Sequence, residues 1–194
     1  MNYPENAKID NELYPINTDF KVAIRCLKVI DDESISDLER GMAIVFLLFG
    51  EKGLKSNKKE QLLKKAEYFL QCGKEVKETN EKPDMDFVED YPYIKASFRS
   101  DYNGMNIDKE HIHWWEFNEL MNGLSNSEMG NCCILNRIRN LRTFDLKDIN
   151  DPKERQKIRK AQEEVALKKY KPKKIKPTEE QKASARRFYE SLKE

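Results

Sequence analysis

A chain of 194 residues with 38% hydrophobic and 37% charged residues suits one domain with appended elements, and it is far more charged than the roughly one quarter usual in soluble domains. Nine Phe, eight Tyr and two Trp still supply the bulk for a core, while the longest apolar run, Met42 to Phe49, falls well short of the roughly 20 residues a membrane helix needs. The net charge of +1 hides a split: Lys153 to Glu194 holds fifteen Lys/Arg and seven Glu (+8), which leaves 21 basic and 28 acidic residues (−7) in the rest.

Residues 7–16 are expected to form a small hairpin, with Ile9, Leu13 and Ile16 spaced around the polar Asp10-Asn11-Glu12 turn. Asn17-Thr18-Asp19 offers helix caps, and Phe20, Ala23, Ile24, Leu27 and Ile30 then recur at helical spacing. Ser36 and Glu39 make a capping box for a second helix that Gly50 closes; apolar nearly all round from Met42 to Phe49, it should sit centrally. A third helix starts at Ser56 or Asn57, points Leu62, Leu63, Ala66, Phe69 and Leu70 inward, and ends at Gly73. A polar connector, 74–84, follows.

In the fourth helix, Phe87, Tyr91, Ile94, Phe98 and Tyr102 form one stripe. Pro92 places its start near Asp90 or kinks its first turns, and Asn103-Gly104 stops it. Asn106 or Asp108 should cap a fifth helix that carries Trp114 and Trp115 and ends at Asn122-Gly123. A sixth runs from about Ser127 to Leu141, and a short turn spans Phe144–Ile149. Asp151-Pro152, with Glu154, opens a very polar helix to about Tyr170 whose thin apolar stripe is Ile158, Ala161, Val165 and Leu167. A stripe that thin docks weakly or waits for a partner. Residues 171–177 form a basic Pro/Lys linker, and the Thr178–Gln181 capping box begins a short last helix with Ala185, Phe188, Tyr189 and Leu192 on its apolar side. The organisation expected is therefore a helical core domain over 1–150, a charged helix over 151–170, the linker over 171–177 and a C-terminal helix over 178–194. The fold class is mainly α, with a small N-terminal β-hairpin.

Candidate chemistry is sparse. His111 and His113 are two apart, so on a helix they point about 200° from each other, which suits surface or capping roles better than a closed zinc site. Cys26, Cys72 and the adjacent Cys132-Cys133 form no disulfide framework and are expected as reduced, partly buried thiols in a cytosolic setting; the polar first residues carry no secretory signal. Phosphate-cradling glycine motifs and a nucleophile elbow are absent. Asp84, Asp86, Glu89 and Asp90 cluster where acids complement a helix dipole. No catalytic residue, metal or cofactor is expected, and the chain is not expected to be an enzyme.

What remains is binding. Trp114, Phe117, Met121 and Leu124 share a helical face, and Trp115 points about 100° away, free either to pack or to meet a second surface. The candidate protein-binding residues are Trp115, Ile158, Val165, Phe188, Tyr189 and Leu192. Lys171, Lys173, Lys174 and Lys176 are candidate basic contacts, to acidic protein or to phosphate. Nucleic acid is the weaker option, because no base-stacking platform accompanies these lysines.

Three stretches carry a resemblance: Glu12 to Lys21 (ELYPINTDFK), His113 to Leu124 (HWWEFNELMNGL), and Leu141 to Arg155 (LRTFDLKDINDPKER) running into the polar helix. Together they resemble the bacteriophage "gene product fifteen" family of tailed phages and prophages of Gram-positive bacteria. The resemblance implies a helical protein of the tail module that acts in the bacterial host cytoplasm during assembly. It further implies a tail assembly chaperone coating the tape-measure protein until tail-tube subunits replace it. Other tail proteins, self-association, a permanent place in the tail, or a nucleic-acid-binding phage regulator are the alternatives. Residues beyond Tyr170 lie outside the resemblance.

Overall fold

The computed structural model describes residues 3–74, 83–126 and 132–168. The chain opens as an antiparallel hairpin, β1 (Asn6–Ile9) and β2 (Glu12–Pro15), with Ile9 opposite Glu12 and Asn6 opposite Pro15. Alternate side chains of a strand face opposite ways, so Ala7, Ile9 and Tyr14 are buried. Leu13 pairs with the outward Lys8 and is exposed. Of the three aliphatic residues that suggested the hairpin, only Ile9 is fully buried.

Asp19 caps α1 (Phe20–Ile30), its carboxylate accepting from Lys21 N at 2.8 Å. The Ser36–Glu39 capping box is formed on both sides at the start of α2 (Asp37–Lys55). Gly50 breaks that helix as the sequence suggests, at φ 62° and ψ −157°, a region open essentially to glycine. The chain then takes one more turn to Lys55 instead of stopping. Next, α3 (Lys59–Leu70) begins later than Ser56, because the Ser56 hydroxyl bonds Tyr14 at 2.9 Å and accepts from Lys58 N at 3.0 Å. Helix α2 packs on α1, α3 and β2, burying Val45, Leu48 and Phe49. It is not enclosed, however: Leu38, Met42 and Phe46, four residues apart along one side, are 74%, 40% and 50% exposed. Among the described residues, its neighbours α1, α3 and β2 leave that side uncovered.

Pro92 lies in the first turn of α4 (Tyr91–Asp101), where a missing N–H costs nothing, so the helix starts at Asp90 without a kink. Neither Asn106 nor Asp108 caps α5 (Trp114–Asn122). Asn106 accepts locally from Asp108 N, and Asp108 is engaged by Lys95 and Tyr91. The cap is His113, whose Nδ1 accepts from Trp115 N at 3.0 Å. Cys133 opens α6 (Ile134–Thr143); residues 127–131, where a longer sixth helix would start, lie outside the described residues. A 3-10 turn (Leu146–Asp148) leads to α7 (Pro152–Val165), capped by Asp151. Helix α7 ends five residues short of Tyr170: Ala166 turns extended and Leu167 dives into the core. The expected linker and last helix, 171–194, lie outside the described residues.

Seven α-helices and one hairpin among the described residues make the fold mainly α. One group is the hairpin with α1, α2 and α3; another is α4, α6 and α7; α5 packs on α1 and joins them through aromatic rings. The Phe117 ring lies between Phe20 (4.3 Å, 10°) and Phe98 (5.4 Å, 12°), with Trp114 at 5.9 Å.

Candidate functional site

None of the fourteen residues of α7 is buried. Polar groups fasten it instead. Gln162 donates to the Leu141 and Phe144 carbonyls (2.9 and 2.8 Å), and Arg142 Nε donates to the Val165 carbonyl (2.7 Å). Beyond its ends, Ile149 and Leu167 are buried and act as two apolar clips. Lys168 N then reaches Glu89 Oε2 at 2.8 Å. Arg142 taking the last carbonyl explains why the helix stops at Val165, since a cation at a helix C-terminus satisfies carbonyls the helix itself cannot.

Arg142 is the hub of this attachment. Its two terminal nitrogens grip the Asp90 carboxylate at 2.7 Å each, and one also donates to the Asp84 carbonyl at 2.9 Å. Asp90 is 1% exposed. Hydrogen bonding to Asp90 pushes the Arg142 pKa up. The whole acidic cluster is accounted for in the same way. Asp84 pairs with Arg139 at 2.9 Å, Asp86 accepts from Val88 N and Glu89 N, and Glu89 receives Lys168 N. These acids build a turn and receive α6 arginines and the α7 end, which is more specific than a general complement to a helix dipole.

The two tryptophans act as a pair on α3. Trp114 Nε1 donates to Leu70 O and Trp115 Nε1 to Phe69 O, both at 2.9 Å, closing carbonyls at that helix's C-terminal end. Trp115 is half-buried, with its ring against Tyr68 at 6.0 Å. His113 uses both nitrogens, Nδ1 as the α5 cap and Nε2 against Pro4 O at 3.2 Å, and Tyr3 stacks on it. That pattern requires the tautomer protonated on Nε2. His111 bonds Asp19. Among the described residues, no group of three or more His, Cys, Asp or Glu is placed to hold a metal, and no helix is long and apolar enough to cross a membrane.

All four cysteines are free thiols. Burial pushes Cys26 up to about 12 and Cys72 up to about 11, and raises Cys132 as well. A thiol held protonated is a poor nucleophile. Cys26 should therefore resist a disulfide reagent at pH 8 until the protein unfolds. Because its folded pKa lies above the ordinary 9.0, its contribution to stability is complete below pH 9 and fades as pH rises toward 12. The loss is about 1.4 kcal/mol per pH unit from this group alone. In alkaline unfolding titrations Cys26→Ala should show a shallower decline than the parent; an identical slope would contradict the assignment.

A family model described as Bacteriophage Gp15 protein matches residues 3–167. The chain belongs to that family. The match takes in the hairpin, the seven α-helices of the described residues and the Leu167 clip. This Gp15-family chain is thus a bacteriophage protein, and the family points to a structural or morphogenetic role. No curated protein and no solved structure gives a significant match.

The residues singled out from sequence fall in separate places in this Gp15 chain. Ile158 and Val165 are half-buried on α7, and Trp115 sits at the α3–α5 junction. Phe188, Tyr189 and Leu192, with Lys171, Lys173, Lys174 and Lys176, lie outside the described residues. Arg142 and Asp90 are 52 positions apart, so no local sequence pattern joins them as a pair. The one available signal was an arginine recurring through Ile134–Thr143, a helix with apolar positions to bury.

Proposed function

We propose that this protein is a tail assembly chaperone, working in the host cytoplasm by protein–protein contact on the tape-measure protein and without catalysis. The observation that supports this reading is the mode of attachment of α7. A fourteen-residue helix with no buried side chain, fastened by a few hydrogen bonds to carbonyls and clipped at Ile149 and Leu167, can exchange partners at low cost. Each such bond is worth only about 1 kcal/mol net, because water or another chain can replace it. A chaperone that must later yield to tube subunits needs contacts of this kind.

The test is co-expression with the tape-measure protein of the same phage. The full chain is expected to keep the tape measure soluble and to co-purify with it. Deleting 151–194 should abolish this, and deleting 171–194 should weaken it. Failure of the full chain to associate would overturn the reading; an unchanged association without 171–194 would confine contact to the remainder. Presence in purified virions would favour a permanent tail component instead.

A further inference from the structure

The surface formed by α1 and the turn before α4 has a chemistry that α7 does not share. Lys21, Arg25 and Lys28, at i, i+4 and i+7, form a ridge along the outer side of α1. On one flank lies a groove of 310 Å³ floored by Ile24, Phe87, Val88 and Tyr91, with the three cations as its rim. Val88 is 46% exposed there. On the other flank Val22 and Phe46 border a second concavity that shares Arg25, and the exposed Met42 and Leu38 continue along α2 from Phe46. Lys21 is partly satisfied, by Asp19 at 3.6 Å and the Glu110 carbonyl at 2.7 Å. Among the described residues, neither Arg25 nor Lys28 makes an ion pair. This ridge stands out because the chain before Lys153 is acidic overall, 21 basic against 28 acidic residues.

We infer that this groove is a docking site for an acidic amphipathic helix of a partner protein. The apolar floor takes one stripe of the partner, and the cationic ridge takes carboxylates beside that stripe. Lys21 to Lys28 spans about 10 Å, the length of two turns of a docked helix. A concave apolar floor suits a helix better than a flat lipid surface. Carboxylates on a helix seated in the groove are within reach of the ridge cations, which line it. The inference stands on this surface alone and holds whichever protein carries the helix.

The test uses the full chain and a fluorescein-labelled peptide of about 18 residues, five helical turns, made of Leu at i, i+3, i+4 and i+7 with Glu elsewhere. A Lys-for-Glu version is the control. The Glu peptide should bind saturably and about tenfold or more tighter than the Lys peptide, and its affinity should fall with added salt. Arg25→Glu with Lys28→Glu should reverse the preference, and Val88→Asp should weaken the Glu peptide about tenfold. Lys64→Glu, on the exposed side of α3, should change nothing. These positions are exposed, and thermal melts on each variant establish that folding is retained. Ending the chain at residue 170 should leave the affinity unchanged. Equal binding of both peptides, or indifference to Arg25, Lys28 and Val88, would overturn the inference. So would tighter binding after truncation, which would make the chain's own C-terminal segment the occupant. Stronger dependence on Arg25 and Lys28 for phosphatidylglycerol vesicles than for the peptide would overturn it in favour of a lipid surface.

Discussion

Arg142→Met should cost about 3–5 kcal/mol in urea unfolding and should expose the α7 amides to hydrogen exchange, because it strands a buried carboxylate. Asp90 is 1% exposed, and its oxygens accept two bonds from Arg142 and one from Asp86 N. Methionine leaves only the last of these. The same change removes the donor to Val165 O and the donor to the Asp84 carbonyl, so both the end of α7 and the turn before α4 lose a fastening. Pairing the change with Asp90→Asn should recover much of the loss. The desolvated charge is then gone, whereas the carbonyl contacts stay broken. A double variant as unstable as Arg142→Met alone would mean that the carbonyl bonds, and not the stranded charge, set the cost. A single variant within about 1 kcal/mol of the parent would show that the pair contributes little, as exposed pairs do.

Local chemistry was legible in the sequence wherever the determinant lies within one turn. The Ser36–Glu39 box, the Asp19 and Asp151 caps, Pro92 in a first turn and the break at Gly50 are all short-range, and each is where the pattern places it. Ends set by distant partners were not legible. Asp108 looks like a cap, but Lys95 and Tyr91 claim it, and the capping group of α5 is a histidine oriented by Pro4. The stop at Val165 depends on Arg142, 23 positions earlier. Amphipathicity also misled in one direction: α2 is apolar enough to be central, yet Leu38, Met42 and Phe46 face outward. Apolar content states what could be buried, not whether a neighbour arrives to bury it. The basic ridge was readable in principle, as Lys21, Arg25 and Lys28 recur at helical spacing. Its meaning needs Phe87, Val88 and Tyr91, which the fold brings alongside from another helix's approach.

Phe117→Ala is the core substitution with the largest expected effect, about 3–5 kcal/mol. The ring is fully buried and is the point where α1, α4 and α5 meet, stacked between Phe20 and Phe98 and beside Trp114. Removing it empties a space that rigid neighbouring rings cannot collapse into. Phe117→Leu keeps most of the volume and should cost about half as much, losing the parallel ring contacts more than the burial. Trp115→Phe, by comparison, removes chiefly one donor to Phe69 O, which keeps the Cys72 N–H at 3.1 Å, and should cost about 1 kcal/mol. The functional consequence follows from Phe87, whose ring lies 5.5 Å from Trp114 and 6.3 Å from Phe117 while also flooring the groove beside α1. The groove floor thus rests on the aromatic core. Phe117→Ala should weaken the acidic peptide at temperatures where circular dichroism still reports native helix, while Trp115→Phe should leave that affinity unchanged. Undiminished peptide binding by folded Phe117→Ala would show that the floor holds its shape without the ring beneath it.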